Sequence, residues 1–343
     1  MVDRSKPDLY AILEVNPRAR TEVIDAAYKA LMKQYHPDIN QDDSKGSSDI
    51  ARQLNEARTT LLNPNLRSKY DSSRNILNKG GNPIINGYRF LEKIAEGGFG
   101  PTFKAEHVES GLPVCVKVGH QISPQHEQVL RDEARAIWDL RHYGIPVMRD
   151  MFKTDDQGLF LVMSYIPGPT LEKVVQKAGN GLDPEHVAWI TERTLNVLMY
   201  LHYHGVVHGD VKPQNIIIQP EKHELVLVDY GLSAIRPEAK AGSKGHTELF
   251  SSPEQLKGLT ILPQSDFYSL AMTMIYALGG DMNTKRVPES TPNPMCNFIA
   301  RCLVRDVLSR PDWNSENLFE SFKKVRTESF GRSRSAMKPL PGA

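Results

Sequence analysis

The run His208-Gly209-Asp210-Val211-Lys212-Pro213-Gln214-Asn215, followed by Asp229-Tyr230-Gly231, sets one carboxylate, one amine and two metal-seeking groups in a fixed order. That order suits phosphoryl transfer from ATP. Asp210 can accept the proton of an attacking hydroxyl, and Lys212 can neutralise charge on the moving phosphoryl group. Asn215 and Asp229 can hold a divalent metal, Mg2+ or Mn2+, against the phosphates. Upstream, Ala95-Glu96-Gly97-Gly98-Phe99-Gly100-Pro101-Thr102 is a glycine-rich stretch in which backbone amides can approach phosphate oxygens with no Cβ in the way. Read alone it is a glycine-rich β-turn.

Together the two segments resemble the catalytic loop and metal-binding triplet of the eukaryotic-type serine/threonine protein kinases. The resemblance covers about residues 88 to 325 and implies a role for each matching position. Gly97 and Gly100, with Ala95 at the family's first glycine and Thr102 at its usual valine, would close over ATP. In Val114-Cys115-Val116-Lys117, Lys117 would grip the α- and β-phosphates, with Glu133 rather than Glu127 pairing to it. Met163 would sit beside the adenine, and the backbone of Ser164, Tyr165 and Ile166 would hydrogen-bond its edge. Ser252-Pro253-Glu254, Asp266 and Arg310 match positions that separate protein kinases from small-molecule phosphotransferases, and so count against a small-molecule kinase. Lys212 and Thr247 suggest serine/threonine specificity. Gly209 replaces an arginine that in many kinases binds a phosphorylated activation loop, so activity is expected not to require that phosphate.

These residues must be positioned by regular elements. Short β-rich runs fall at residues 88–95, 102–108, 113–118 and 159–165, interrupted by a helical run at 125–140. From residue 171 to about 325 the pattern is mainly helical, for example at 184–202 and 267–278. The expected fold class is α+β, with an all-α N-terminal hairpin followed by a bilobal kinase fold of β-rich small lobe and helical large lobe. Expected boundaries are 5–74 for the hairpin module, 75–87 for a linker holding Gly80-Gly81 and Pro83, 88–326 for the kinase domain, and 327–343 for a basic disordered tail.

In the first module Thr21 reads as a helix N-cap with Glu22 in the first turn. Ile24, Ala27, Tyr28, Leu31 and Tyr35 then form one apolar face, and a second helix carries Ile50, Leu54, Ala57 and Leu61 beyond a polar loop at 40–48. His36-Pro37-Asp38 falls directly after the first of these helices, where Pro37 biases His36 away from helical geometry. Framed by Tyr10-Ala11-Ile12-Leu13, Leu54-Asn55-Glu56-Ala57 and Arg67-Ser68-Lys69-Tyr70-Asp71, the tripeptide resembles that of the J domain of the DnaJ co-chaperones. The resemblance implies that His36, Pro37 and Asp38, with Lys29 and Lys33, touch an Hsp70-type chaperone and stimulate its ATPase. Arg58 stands where the family often has an aromatic, implying looser packing there.

Length and composition set outer limits. The 343 residues suggest two domains, and a net charge of +1 gives no argument for nucleic acid or membrane partners. No signal peptide or membrane-length apolar run is evident, and Cys115, Cys296 and Cys302 lack metal-ligand spacing, so a reduced cytoplasmic setting is expected. Two functional readings follow. The first is an ATP-dependent serine/threonine kinase acting on protein substrates, with a J domain that recruits Hsp70. The second is a co-chaperone whose kinase-like part is only a nucleotide-binding scaffold. Ala95, Thr102 and Gly209 favour the second; retention of Lys117, Asp210, Asn215 and Asp229 counts against it.

Overall fold

A computed structural model describes residues 9–15, 19–35, 44–67, 70, 82–97, 100–119, 124–154, 158–219, 224–237, 242–332 and 340. Three helices open the chain: α1 (Leu9–Ile12), α2 (Thr21–Tyr35) and α3 (Ser44–Leu62). Asp25 bonds Arg58 at 3.1 Å while Tyr28 bonds Asn55 at 2.6 Å, so α2 and α3 run antiparallel. Leu9, Tyr10, Leu13, Ile24, Leu54, Ala57 and Leu61 bury one another between the helices, which is what the i, i+3, i+4 stripes demand. Thr21 is the first helical residue rather than the cap; the Arg20 carbonyl accepts from Val23 and Ile24. The polar loop expected at 40–48 is shorter, because α3 already begins at Ser44. Arg58 lies 4.7 Å from the centre of the Tyr28 ring, so a cation–π contact occupies the place of the aromatic. His36, Pro37 and Asp38 lie outside the described residues.

A six-stranded antiparallel sheet follows: β1 (Ile84–Ile85), β2 (Tyr88–Gly97), β3 (Gly100–His107), β4 (Pro113–Gly119), β5 (Met148–Thr154) and β6 (Gly158–Ser164), in the order β1-β2-β3-β4-β6-β5. Two of these strands depart from the sequence reading. Ile84 and Ile85, placed in the linker, pair with Arg89 and Tyr88 across a two-residue turn. Asn86 and Gly87 both have positive φ there, 48° and 81°, as a tight hairpin requires. β5 leaves no strand signature in the sequence because Met148-Arg149-Asp150-Met151 lacks alternation; a register shift between Met148 and Asp150 breaks its period.

Helix α4 (Pro124–Ile137) lies between β4 and β5 and buries Leu130, Ala134 and Ile137 in the same core as Leu161 and Met163. The large lobe is built from α5 (Leu171–Ala178), α6 (Pro184–Tyr203), α7 (Pro253–Leu256), α8 (Pro263–Ala277), α9 (Asn293–Cys302) and α10 (Leu318–Phe330). Asp183 caps α6 by accepting from the Glu185 amide at 2.9 Å, with Pro184 in the first turn. α8 is buried nearly all round, which explains its run of uninterrupted apolar residues. α10 runs past the expected start of the tail, closes on Gly331 at φ 69°, and is followed by Arg332 in a two-pronged pair with Glu185 at 3.0 Å. The rest of that tail, apart from Leu340, lies outside the described residues.

Two short strand pairings frame the chemistry. β7 (Val206–Val207) pairs with β10 (Ala234–Ile235), and β8 (Ile216–Gln219) pairs with β9 (Glu224–Leu227). Because Asn215 precedes β8 and Asp229 follows β9, antiparallel pairing draws the catalytic run and the Asp229 triplet to one end of the hairpin. The Val228 amide seals this by donating to the Asn215 carbonyl at 2.8 Å.

Candidate active site

Lys117 projects from β4 with its Nζ 2.7 Å from Glu133 on α4 and 2.7 Å from Asp229 beyond β9. Three elements far apart in sequence thus converge on one ammonium. Glu133 is the partner, as expected; the side chain of its rival Glu127 lies outside the described residues. Desolvation works against charge on all three groups, and the pairing overrides it at Lys117 and Asp229 but not at the more deeply buried Glu133. Burial would push Asp229 up, yet the Lys117 ammonium outweighs it and holds the carboxyl at about 2. Lys117 is opposed by its burial but raised above the usual lysine range by the two carboxylates. Glu133, 1 % exposed, is raised by burial against the pull of Lys117.

Asp210 is the second centre. Its Oδ2 accepts from Lys212 Nζ at 2.7 Å and from Asn215 Nδ2 at 2.9 Å, and its Oδ1 accepts from the Thr247 hydroxyl at 2.7 Å. Lys212 Nζ also reaches Thr247 Oγ1 at 2.9 Å. With its Nδ2 spent on Asp210, Asn215 keeps Oδ1, the only atom of that side chain able to ligate a cation. The Asp229 carboxylate, 38 % exposed, likewise retains an oxygen that Lys117 does not take. The oxygen chemistry of these two residues, set beside an ammonium, fits a hard divalent cation carrying phosphates.

The backbone beneath Asp210 is held from below. Asp266 at the start of α8 accepts from the amides of His208 and Gly209, both at 2.8 Å. The His208 Nδ1 accepts from the Asp210 amide at 3.2 Å, and burial keeps that imidazole below its ordinary pKa, hence neutral. Tyr230 stacks edge-on against His208 at 4.7 Å and gives its hydroxyl to the Leu227 carbonyl at 3.1 Å, so this buried ring leaves no orphaned polar group. Its amide reaches Glu133 at 3.3 Å, which ties the triplet to α4.

The roof and hinge are less fully described. Ala95 lies opposite Thr102, and Gly97 opposite Gly100 whose φ of 125° favours glycine. Gly98 and Phe99 lie outside the described residues. Thr102 pairs with Lys117 in register and Cys115 with Met163, which gathers the residues expected around the adenine onto adjacent strands. Burial pushes the Cys115 thiol up to about 12, so it behaves as a small apolar group. Ser164 differs from expectation in one respect. Its amide donates to the Val147 carbonyl at 2.9 Å and its hydroxyl accepts from the Val147 amide at 3.0 Å, so the Ser164 amide is already committed within the lobe.

Several contacts escaped the sequence reading. Gln255 donates to the carbonyls of Gly209 at 2.7 Å and Gly245 at 2.9 Å, joining the catalytic run to the following segment. Lys244 of that segment pairs with Asp132 on α4 at 3.1 Å. No spacing rule predicts either, since both depend on how the segment folds back. Glu254 and Arg310, two of the positions singled out by the resemblance, form a buried two-pronged pair at 2.7 and 2.8 Å.

A family model described as protein kinase domain matches residues 88–317, and the chain belongs to that family. A second, described as DnaJ domain, matches residues 8–71. Among curated relatives, the chain is 28 % identical over 266 residues to the serine/threonine-protein kinase pkn3 of Myxococcus xanthus, covering 67 % of this chain and 48 % of that protein. It is 28 % identical over 252 residues to the serine/threonine-protein kinase pakE of Dictyostelium discoideum, covering 67 % and 27 %. It is 32 % identical over 203 residues to the serine/threonine-protein kinase PknA of Mycobacterium tuberculosis, covering 56 % and 47 %. The chain therefore spans less than half the length of each of these relatives.

Proposed function

We propose that this protein is an ATP-dependent serine/threonine protein kinase whose J domain brings an Hsp70-type chaperone to the kinase or its substrates. The observation that carries the reading is the double convergence on one hairpin end: Lys117 within 2.7 Å of both Glu133 and Asp229, and Asp210 gathering Lys212, Asn215 and Thr247. In this reading Lys117, fixed by Glu133, orients the α- and β-phosphates. Asp210 orients a serine or threonine hydroxyl and takes its proton, and the Lys212 ammonium offsets charge on the transferring group. Asp229 and Asn215 would hold Mg2+ or Mn2+, which neutralises phosphate charge when bound. Ala95, Gly97, Gly100, Thr102, Met163 and the backbone of residues 164–166 would enclose the nucleotide.

His36, Pro37 and Asp38, with Lys29 and Lys33 on α2, would meet the chaperone. Lys29 is exposed and anchored by Asp25 at 2.7 Å, which fixes its charge on that helix face. Among the described residues no helix is long and apolar enough to cross a membrane, and Cys115, Cys296 and Cys302 are unpaired, which supports a cytoplasmic setting. Protein substrates are supported over small molecules by the Glu254–Arg310 pair that closes the segment carrying Thr247.

Transfer of radiolabelled phosphate from ATP to a generic protein tests the enzyme. Wild type should label it, and Asp210→Asn should fall by about 10²–10⁴-fold. Equal labelling by the two would instead support the nucleotide-binding scaffold.

A further inference from the structure

His202, near the end of α6, is buried and makes two ring contacts of equal length. Its Nε2 lies 2.8 Å from Asp266 Oδ2, and its Nδ1 lies 2.8 Å from the indole nitrogen of Trp313. An indole N–H only donates, so Nδ1 must carry a lone pair. The proton then sits on Nε2, and a proton on both nitrogens is excluded because Nδ1–H would face the indole N–H. The His202–Asp266 contact is therefore a hydrogen bond from a neutral ring and not an ion pair. Asp266, fully buried, uses the same carboxylate to accept the amides of His208 and Gly209. A chain of hydrogen bonds thus links Trp313, His202 and Asp266, with the Asp266 carboxylate accepting from His202 on one side and from the backbone immediately before Asp210 on the other.

We propose that Trp313 is a positioning residue that locks His202 in its Nε2-protonated tautomer, so that His202 steadies Asp266 beneath the catalytic loop. This rests on the kinase reading for its functional consequence, though the tautomer itself does not. Without the indole, the imidazole can place its proton on Nδ1 and present a lone pair to the Asp266 carboxylate. That contact would be repulsive and would loosen the grip on His208 and Gly209. The same short segment carries Arg310, which holds Glu254, so residues 310–313 secure the loop before Asp210 and the far end of the segment after Asp229 together.

The test uses the full chain labelled with 15N-histidine. In wild type the His202 resonance, assigned by its absence in His202→Phe, should show a single tautomer protonated at Nε2. Trp313→Phe keeps an aromatic ring against Phe267, now 5.2 Å from the indole, but removes the donor. It should shift His202 toward the Nδ1-protonated form and lower kcat by about tenfold with KM for ATP unchanged. In a His202→Phe background the same substitution should cost no more than twofold further. An Nδ1-protonated or doubly protonated His202 in wild type overturns the proposal whether or not the variants fold. So does unchanged kcat or unchanged ring shifts in Trp313→Phe, and so do losses that add in the double variant. If wild type itself transfers no phosphate, the kinase reading fails while the nitrogen shifts still decide the tautomer.

Discussion

At Gly209 the side chain that the sequence lacks and the backbone that the fold imposes tell one story. Its φ is 74°, and a Cβ there would sit 2.7 Å from the Leu232 carbonyl oxygen and 2.9 Å from Ile261 Cδ1. Its amide is held by Asp266 and its carbonyl by Gln255, so the backbone cannot rotate to relieve the crowding. Gly209→Ala should therefore destabilise the kinase domain by about 1–3 kcal/mol in chemical denaturation. Unfolding at the wild-type midpoint would contradict this. The absence of a guanidinium at residue 209 was legible in the sequence; the left-handed backbone was not, because it is held by Gln255 and Asp266, 46 and 57 positions further along.

At the scale of elements, the described part of the segment between Asp229 and Glu254 is held by unmodified side chains. Gln255 links Gly245 to the catalytic loop, and Lys244 reaches Asp132 on α4. Phosphatase-treated protein should keep its turnover within about twofold, whereas Gln255→Leu, which leaves the buried Gly209 carbonyl and the half-buried Gly245 carbonyl without that donor, should cost about 1–3 kcal/mol of stability and lower kcat. Loss of nearly all turnover after phosphatase treatment would defeat the first expectation. The end of the segment depends on Glu254. Burial would raise its carboxyl, but Arg310 and Ser265 hold it at about 2, against the ordinary 4.5. A depressed carboxyl contributes stability that is complete above the unfolded value and fades as pH falls from about 4.5 toward 2. Glu254→Gln should remove that dependence, so its thermal midpoint should change less between pH 5 and 3 than that of wild type. The variant should also be weaker at pH 7 by about 3–5 kcal/mol, since it leaves the Arg310 charge buried and uncompensated.

For the whole molecule, the two family matches occupy separate stretches, and each has its own buried core. Their proposed activities should therefore separate by mutation. His36→Gln should abolish stimulation of an Hsp70 ATPase while leaving phosphate transfer intact, and Asp210→Asn should do the reverse. A single variant that removes both would show that the modules act as one unit.

The sequence by itself determined which chemistry is available. Motifs such as Asp210-Val211-Lys212 and Asp229-Tyr230-Gly231 are local in the chain, and the helical stripes at Ile24 and Leu54 follow from periods that any reader can count. It also holds the Asn86-Gly87 signal of the first hairpin, which the neighbouring loop-forming residues Gly80, Gly81 and Pro83 mask. Only the tertiary structure decided which distant groups meet: Trp313 with His202, Gln255 with Gly209, Lys244 with Asp132. Such contacts are made by single polar side chains across 46 to 112 positions of chain, where burial and backbone direction choose the partner and no periodicity records it.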